Sequence, residues 1–297
     1  MASFAAHAAL ALRVSQQAAL KNWRFGQLAL VRQVSNQIVN ISDLDELCER
    51  ITQLIQQTAL AIQNERFKQQ TMDRERMERE FQLARQIQTT FLPDLLPLQP
   101  SWEIAAHWQT TRQVGGDFYD IFKLGRDRLG LAIADVSGKG MPAALYRPVA
   151  RTLIRVYARD SCSPAAVLGN VNWPMISDTP NSMFVTAVFA MVWPETGQLL
   201  VANAGHNLPL IVRNCDNNVE KLPPGGMARG VFENIELKDH HLTLNQGDIL
   251  LLYTNGVTEC FSPTGEAFGE QRLLALLAEN CGKPLKQMPG ISWKLNE

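Results

Sequence analysis

The chain has no aspartate after Asp248, no C-x-x-C pair, no long apolar run and no excess of either charge. Each of these absences excludes something. Its five cysteines, Cys48, Cys162, Cys215, Cys260 and Cys281, are odd in number and widely spaced. That pattern argues against a disulfide framework and a structural zinc site, and for a reducing compartment, so a cytoplasmic location is expected. No stretch approaches the roughly 18–20 apolar residues of a membrane span, and Met1–Ala6 lacks the positive start of a signal peptide. A net charge of −1 over 297 residues, with basic and acidic side chains interspersed, provides no field for nucleic acid or anionic lipid.

Proline is absent from residues 1–92 and glycine occurs there once, at Gly26. The region is rich in Ala, Leu, Gln, Arg and Glu, which predicts helix almost throughout. Ser42 followed by Asp45 reads as an N-cap with an acidic third position, starting a helix near Asp43. Ile51, Leu54 and Ile55 then form an apolar stripe. From Glu65 to Glu80 ten of sixteen residues are charged, with Glu75–Arg79 and Arg76–Glu80 at helical spacing. Met77, Phe81, Ala84, Ile87 and Phe91 step by three or four, a seam suited either to packing on the chain's own domain or to a partner helix. A homodimer through residues 65–92 is expected on the second reading.

Pro93, Pro97 and Pro100 stop the helix and mark a boundary. Beyond them the pattern predicts strands at Trp102–Trp108, Asp117–Leu124, Leu129–Val136, Met183–Trp193, Leu199–Ala202, Leu208–Val212, Glu236–Leu244 and Ile249–Thr254. Helices are predicted near Pro142–Ala158, Pro164–Val171 and Glu270–Glu279. Hairpin-like runs of strands interrupted by helices indicate an α+β fold with antiparallel sheets.

Two strings end predicted strands with a carboxylate beside small residues. They are Val114-Gly115-Gly116-Asp117-Phe118-Tyr119-Asp120 and Ala134-Asp135-Val136-Ser137-Gly138-Lys139-Gly140. Glycine admits close backbone approach, and carboxylates with carbonyls are the ligands hard divalent ions prefer. Asp117 and Asp135 are therefore candidate metal ligands, the alternative being turn aspartates that satisfy local N–H groups. Ser137–Gly140 is not a nucleotide loop, because Ile133 and Gly140 stand where a glycine and a hydroxyl residue are required. His206, in a turn string Asn203–Asn207, reads as a hydrogen-bonded structural residue. His240 and His241 alternate across a strand and cannot chelate one ion.

The string Leu83–Gln88 with Phe91-Leu92-Pro93, and the motifs VGGDFYD, ADVSGKGMPAAL, FVTAVFAMV, NAGHNLPLI and GDILLLYTNGVTE, resemble bacterial PPM-type protein phosphatases of the SpoIIE-like branch over roughly residues 80–280. The resemblance implies an αββα sandwich and a binuclear Mn²⁺ or Mg²⁺ site hydrolysing phosphoserine or phosphothreonine. It implies that Asp135 bridges the metals, that the Val136 carbonyl adds a ligand and that Asp117 serves the site directly or through water. The nucleophile it implies is a metal-associated water, so no side chain is assigned that role. The substrate class it implies is a small phosphoprotein such as an anti-sigma-factor antagonist. Asn255 stands where the pattern has an aspartate and is expected to be a weak ligand. The final metal aspartate has no counterpart in Lys283–Glu297. Weak or absent turnover is expected, with a non-catalytic phosphoprotein-binding role as the alternative. Ser42–Leu54 and Ala59–Phe67 resemble the first and last helices of a GAF sensor without its body, and Phe4–Gln17 resembles the last helix of another. The expected organisation is a sensor remnant at 1–60, a signalling helix at 61–92 and a C-terminally truncated phosphatase domain at 93–297.

Overall fold

A computed structural model describes residues 44–93, 102–110, 114–138, 140–177, 183–214, 218–232 and 236–283. The expected helix at Phe4–Gln17, the Ser42 cap, Pro97, Pro100, Cys215, Lys139 and the tail after Lys283 lie outside these residues. By its internal contacts the chain divides into two units, Met1–Glu78 and Arg79–Glu297.

What is described of the first unit is helical. Helix α1, Leu44–Thr90, runs without interruption, as its lack of proline and glycine requires. Arg74 and Glu78 pair one turn apart at 3.1 Å. Ile55, Leu60 and Phe67 project exposed from this helix, with Phe67 71% accessible.

In the second unit α1 ends where Phe91 and Leu92 donate to the carbonyls of Gln88 and Thr89, just before Pro93. Strands β1 (Phe118–Leu124), β2 (Arg128–Val136), β3 (Val185–Trp193), β4 (Gln198–Ala204) and β7 (His240–Thr243) form one antiparallel sheet in that order. Strands β6 (Val219–Lys221), β5 (Leu210–Val212) and β8 (Ile249–Leu251) form the second. Helices α2 (Met141–Ala158) and α3 (Pro164–Ser177) connect β2 to β3. The short α4 (Asn255–Thr258) and α5 (Gly269–Glu279) follow β8.

Side-chain alternation explains the layers. Along β2 and β3 one face, with Ala134, Val136, Ala187 and Phe189, packs with Ala150 and Ile154 of α2 and Leu168 of α3. The opposite face, with Leu129, Ile133, Val188 and Val192, meets Ile211 of β5. The other side of β5, Leu210 and Val212, packs with Leu273 and Leu277 of α5. Helices, sheet, sheet and helix thus stack as the expected αββα sandwich.

Three expectations are corrected. Trp102–Trp108 is not a strand: Trp102 makes a single bridge and residues 103–110 have no strand pairing. Its aromatic and β-branched content serves side-chain packing instead, since Trp102 and Ile104 cover the inter-sheet core. Helix α3 continues past Val171 to Ser177 with Pro174 inside it. The strand expected over Glu236–Leu244 pairs only over His240–Thr243.

Pro148 inside α2 has a further effect. Proline lacks an N–H, so the carbonyl four residues earlier, Ala144, has no helical donor. The buried amide of Gln88 on α1 fills the vacancy: its Nε2 donates to Ala144 at 3.3 Å and to the Gly115 carbonyl at 3.0 Å. The Gly115 N–H donates back to Gln88 Oε1 at 3.4 Å.

Candidate metal centre

Asp135 and Val136 end β2, and Asp117 immediately precedes β1, which pairs with β2 from Phe118↔Ala134 onward. The register therefore places the two aspartates at the same end of adjacent strands. Gly116 makes their approach possible. A Cβ added there would lie 2.5 Å from the Val136 carbonyl oxygen and 3.3 Å from Asp135 Oδ1. Any other residue would wedge the loop away from the strand end. Gly140, at φ 76°, then turns the chain into α2.

The segment after β8 closes the site from the other side. Thr254 Oγ1 donates to Asp117 Oδ2 at 2.7 Å, and Gly256 stands beside the same oxygen, 3.9 Å from where its Cβ would be. Asn255 lies between them. Its amide donates to Glu259 Oε2 at 3.3 Å, one helical turn on. The structure thus gathers Asp117, Asp135, Val136 and the residues flanking Asn255 at one place.

The electrostatics are those of crowded carboxylates. Burial first, then hydrogen bonding with and repulsion from Asp117, and last repulsion from Glu259, push Asp135 up to about 7. A divalent ion would relieve that repulsion, and the Val136 carbonyl beside Gly116 offers a neutral oxygen. Among the described residues, no three His, Cys, Asp or Glu side chains converge to hold a metal. The donor set fits a hard divalent ion that keeps several of its waters, held by two carboxylates and main-chain oxygen.

His206 is structural, as its sequence context indicates. Its Nδ1 meets Thr186 Oγ1 at 2.8 Å, and its backbone N–H donates to Asn203 Oδ1 at 2.8 Å. Burial lowers its pKa to about 4, so the ring is neutral.

Several neighbours escaped the sequence reading. Trp108 Nε1 donates to the Asp117 carbonyl at 3.0 Å. Arg147 of α2 lies over that indole, its guanidinium carbon 4.6 Å from the ring centroid. Burial lowers Arg147 to about 10, and Asp117 opposes the shift. Glu259 carried a detectable signal, its spacing of four from Asn255 on a short helix; Arg147, within an ordinary helical pattern, carried none.

A two-sheet sandwich with helices on both outer faces and paired aspartates at one end of the larger sheet defines the PPM, or PP2C-like, phosphatase class. The chain belongs to the SpoIIE family: the family model for Stage II sporulation protein E matches residues 125–290. Protein IcfG of Synechocystis sp. is 33% identical over 228 residues, covering 68% of this chain and 36% of the relative. Phosphoserine phosphatase RsbU of Bacillus subtilis is 30% identical over 186 residues, covering 63% of this chain and 55% of that protein. The chain thus spans between about a third and a little over half of these relatives. The SiaA-PP2C domain of Pseudomonas aeruginosa shares the fold, with a TM-score of 0.60 and 23% identity over 73% of this chain and 87% of that one.

Proposed function

We propose that the chain is a metal-dependent phosphatase of phosphoserine or phosphothreonine proteins, with weak turnover. The observation that carries this reading is the meeting of Asp117, Asp135 and the Val136 carbonyl across Gly116, in a chain of the SpoIIE family. Asp117, Asp135 and the Val136 carbonyl would hold Mn²⁺ or Mg²⁺, with Asn255 contributing a weak neutral oxygen. Bound divalent ions supply charge to grip a phosphate and to activate water for in-line attack. Thr254 keeps Asp117 oriented by its hydroxyl hydrogen bond, Trp108 fixes the backbone of the same residue, and Gly116 keeps the Val136 oxygen accessible.

Weak turnover follows from Asn255, whose amide carries no charge. Losing a supporting ligand interaction costs roughly 10–100-fold in affinity or activity, and a direct carboxylate costs more. The same deficit supports the second reading, a non-catalytic protein that binds a phosphoprotein through the sandwich. The substrate proposed is a small phosphoprotein of a partner-switching pathway, such as an anti-sigma-factor antagonist, a reading supported by the likeness to RsbU. The proposed organisation is a GAF-like remnant over 1–60, a signalling helix over 61–92 that pairs with a second copy, and the phosphatase domain from 93.

The test is Mn²⁺-dependent hydrolysis of p-nitrophenyl phosphate by the parent, Asp135→Ala and Asn255→Asp. Parent activity lost in Asp135→Ala is expected, with a gain of roughly 10–100-fold in Asn255→Asp. A silent parent rescued by Asn255→Asp would assign the native chain to the binding reading. Silence in all three would sink the phosphatase reading.

A further inference from the structure

Arginines recur at every fourth position of α2: Arg147, Arg151 and Arg155. The second and third share the buried Asp120 of β1. Arg151 Nη2 reaches Asp120 Oδ1 at 3.1 Å, and Arg155 Nη2 reaches it at 2.8 Å. Arg147 is different. It is 1% accessible, and its Nε, Nη1 and Nη2 are all buried without a hydrogen-bond partner.

A guanidinium has five N–H donors, and the indole face that Arg147 covers satisfies none of them. Removing such a group from water uncompensated is costly, so a nearby negative charge must offset part of that cost. Asp120 is occupied by the other two arginines. Arg147 is linked to Asp117 through Trp108, whose ring face it covers and whose N–H donates to the Asp117 carbonyl at 3.0 Å. A buried positive charge therefore packs on the indole that holds the Gly115-Gly116-Asp117 loop.

We propose that Arg147 is a built-in competitor of the metal: its buried charge takes the place of part of the cation's charge beside the carboxylates and opposes a divalent cation entering the centre. Linkage makes the effect reciprocal: the repulsion between Arg147 and a bound cation lowers metal affinity by the same free energy by which the metal disfavours the Arg147 charge. The inference rests on the metal-centre reading above and extends it to the residue that sets how tightly the centre loads.

Calorimetric titration of the full chain with Mn²⁺ tests it, comparing the parent with Arg147→Met, Arg147→Gln, Arg147→Lys and Asp135→Ala. Arg147→Met and Arg147→Gln are expected to bind Mn²⁺ roughly tenfold more tightly, the order of one charge acting through a partly screened path. Arg147→Lys keeps the charge and stays near the parent. The difference should persist between about 0.1 and 1 M salt, since a buried charge is poorly screened. Unchanged or weaker binding in whichever neutral variant folds overturns the proposal, as does a difference that vanishes at high salt. Binding that needs Asp135 but ignores the charge at 147 defeats this inference alone. Absence of Mn²⁺ binding throughout defeats the metal-centre reading with it.

Discussion

The buried His206 and the half-buried Asp135 pull stability in opposite directions as pH changes. His206 falls from 6.5 to about 4 on burial. Between those values the unfolded chain binds the extra proton, so stability is lost as pH falls from 6.5 toward 4, by up to about 3 kcal/mol. Asp135 rises from 3.8 to about 7. There the folded chain holds the extra proton, so stability is lost as pH rises from 3.8 toward 7. The metal-free protein should therefore show a muted pH dependence between about 4.5 and 6.5. Urea unfolding of His206→Gln should expose the Asp135 slope, with stability falling as pH rises. Asp135→Asn should expose the opposite slope. A variant pair with parallel slopes would contradict the assignment.

At the scale of elements, Pro148 and Gln88 form one device. The proline leaves the Ala144 carbonyl without a helical donor, and the glutamine amide supplies one while also holding Gly115. Gln88→Leu should cost about 1–3 kcal/mol, because it strands two buried carbonyls and an N–H. In a Pro148→Ala background the helix regains its own donor, and the same substitution should cost less. A double-mutant cycle by urea unfolding, with coupling of about 0.5–3 kcal/mol expected for groups in contact, checks this; strict additivity would refute it. The sequence did not expose the pair because Gln88, like Gln82 and Gln86 in the same stretch, reads as an ordinary polar helix position. Strands β1 to β4 were legible because β-branched and apolar residues run through them and both faces of β2 and β3 are buried. Strand β6 was not: it has three residues, of which Glu220 and Lys221 are exposed. Asp117 and Asp135 stood out because small residues stand near each, Gly115 and Gly116 before the first and Ala134, Ser137 and Gly138 around the second. Arg147 did not, since helix periodicity alone cannot distinguish a buried arginine from a surface one.

For the whole molecule, the open question is how many copies act together. Helix α1 is 47 residues long and leaves Phe67 and Met77 exposed, at 71% and 61%. A long helix with an apolar stripe gains most of its stability from packing, not from propensity. The full chain is expected to sediment as a dimer at micromolar concentration, and Phe67→Glu with Met77→Glu to shift it to monomer without changing the far-ultraviolet spectrum. A parent that sediments as a monomer would remove the homodimer reading. No helix among the described residues is long and apolar enough to cross a membrane.

The Val136 carbonyl has an unusual standing with respect to heredity. A single codon change can turn an aspartate such as Asp135 into an asparagine and remove its charge. No codon change at 136 removes a peptide oxygen, whatever side chain results. That donor is vulnerable only from outside, through the residue that leaves room for it. A single added methyl at Gly116 would stand 2.5 Å from the oxygen. A lesion that blocks this proposed ligand would therefore map twenty residues away from it, while substitutions at 136 itself would report on packing of the buried Val136 side chain.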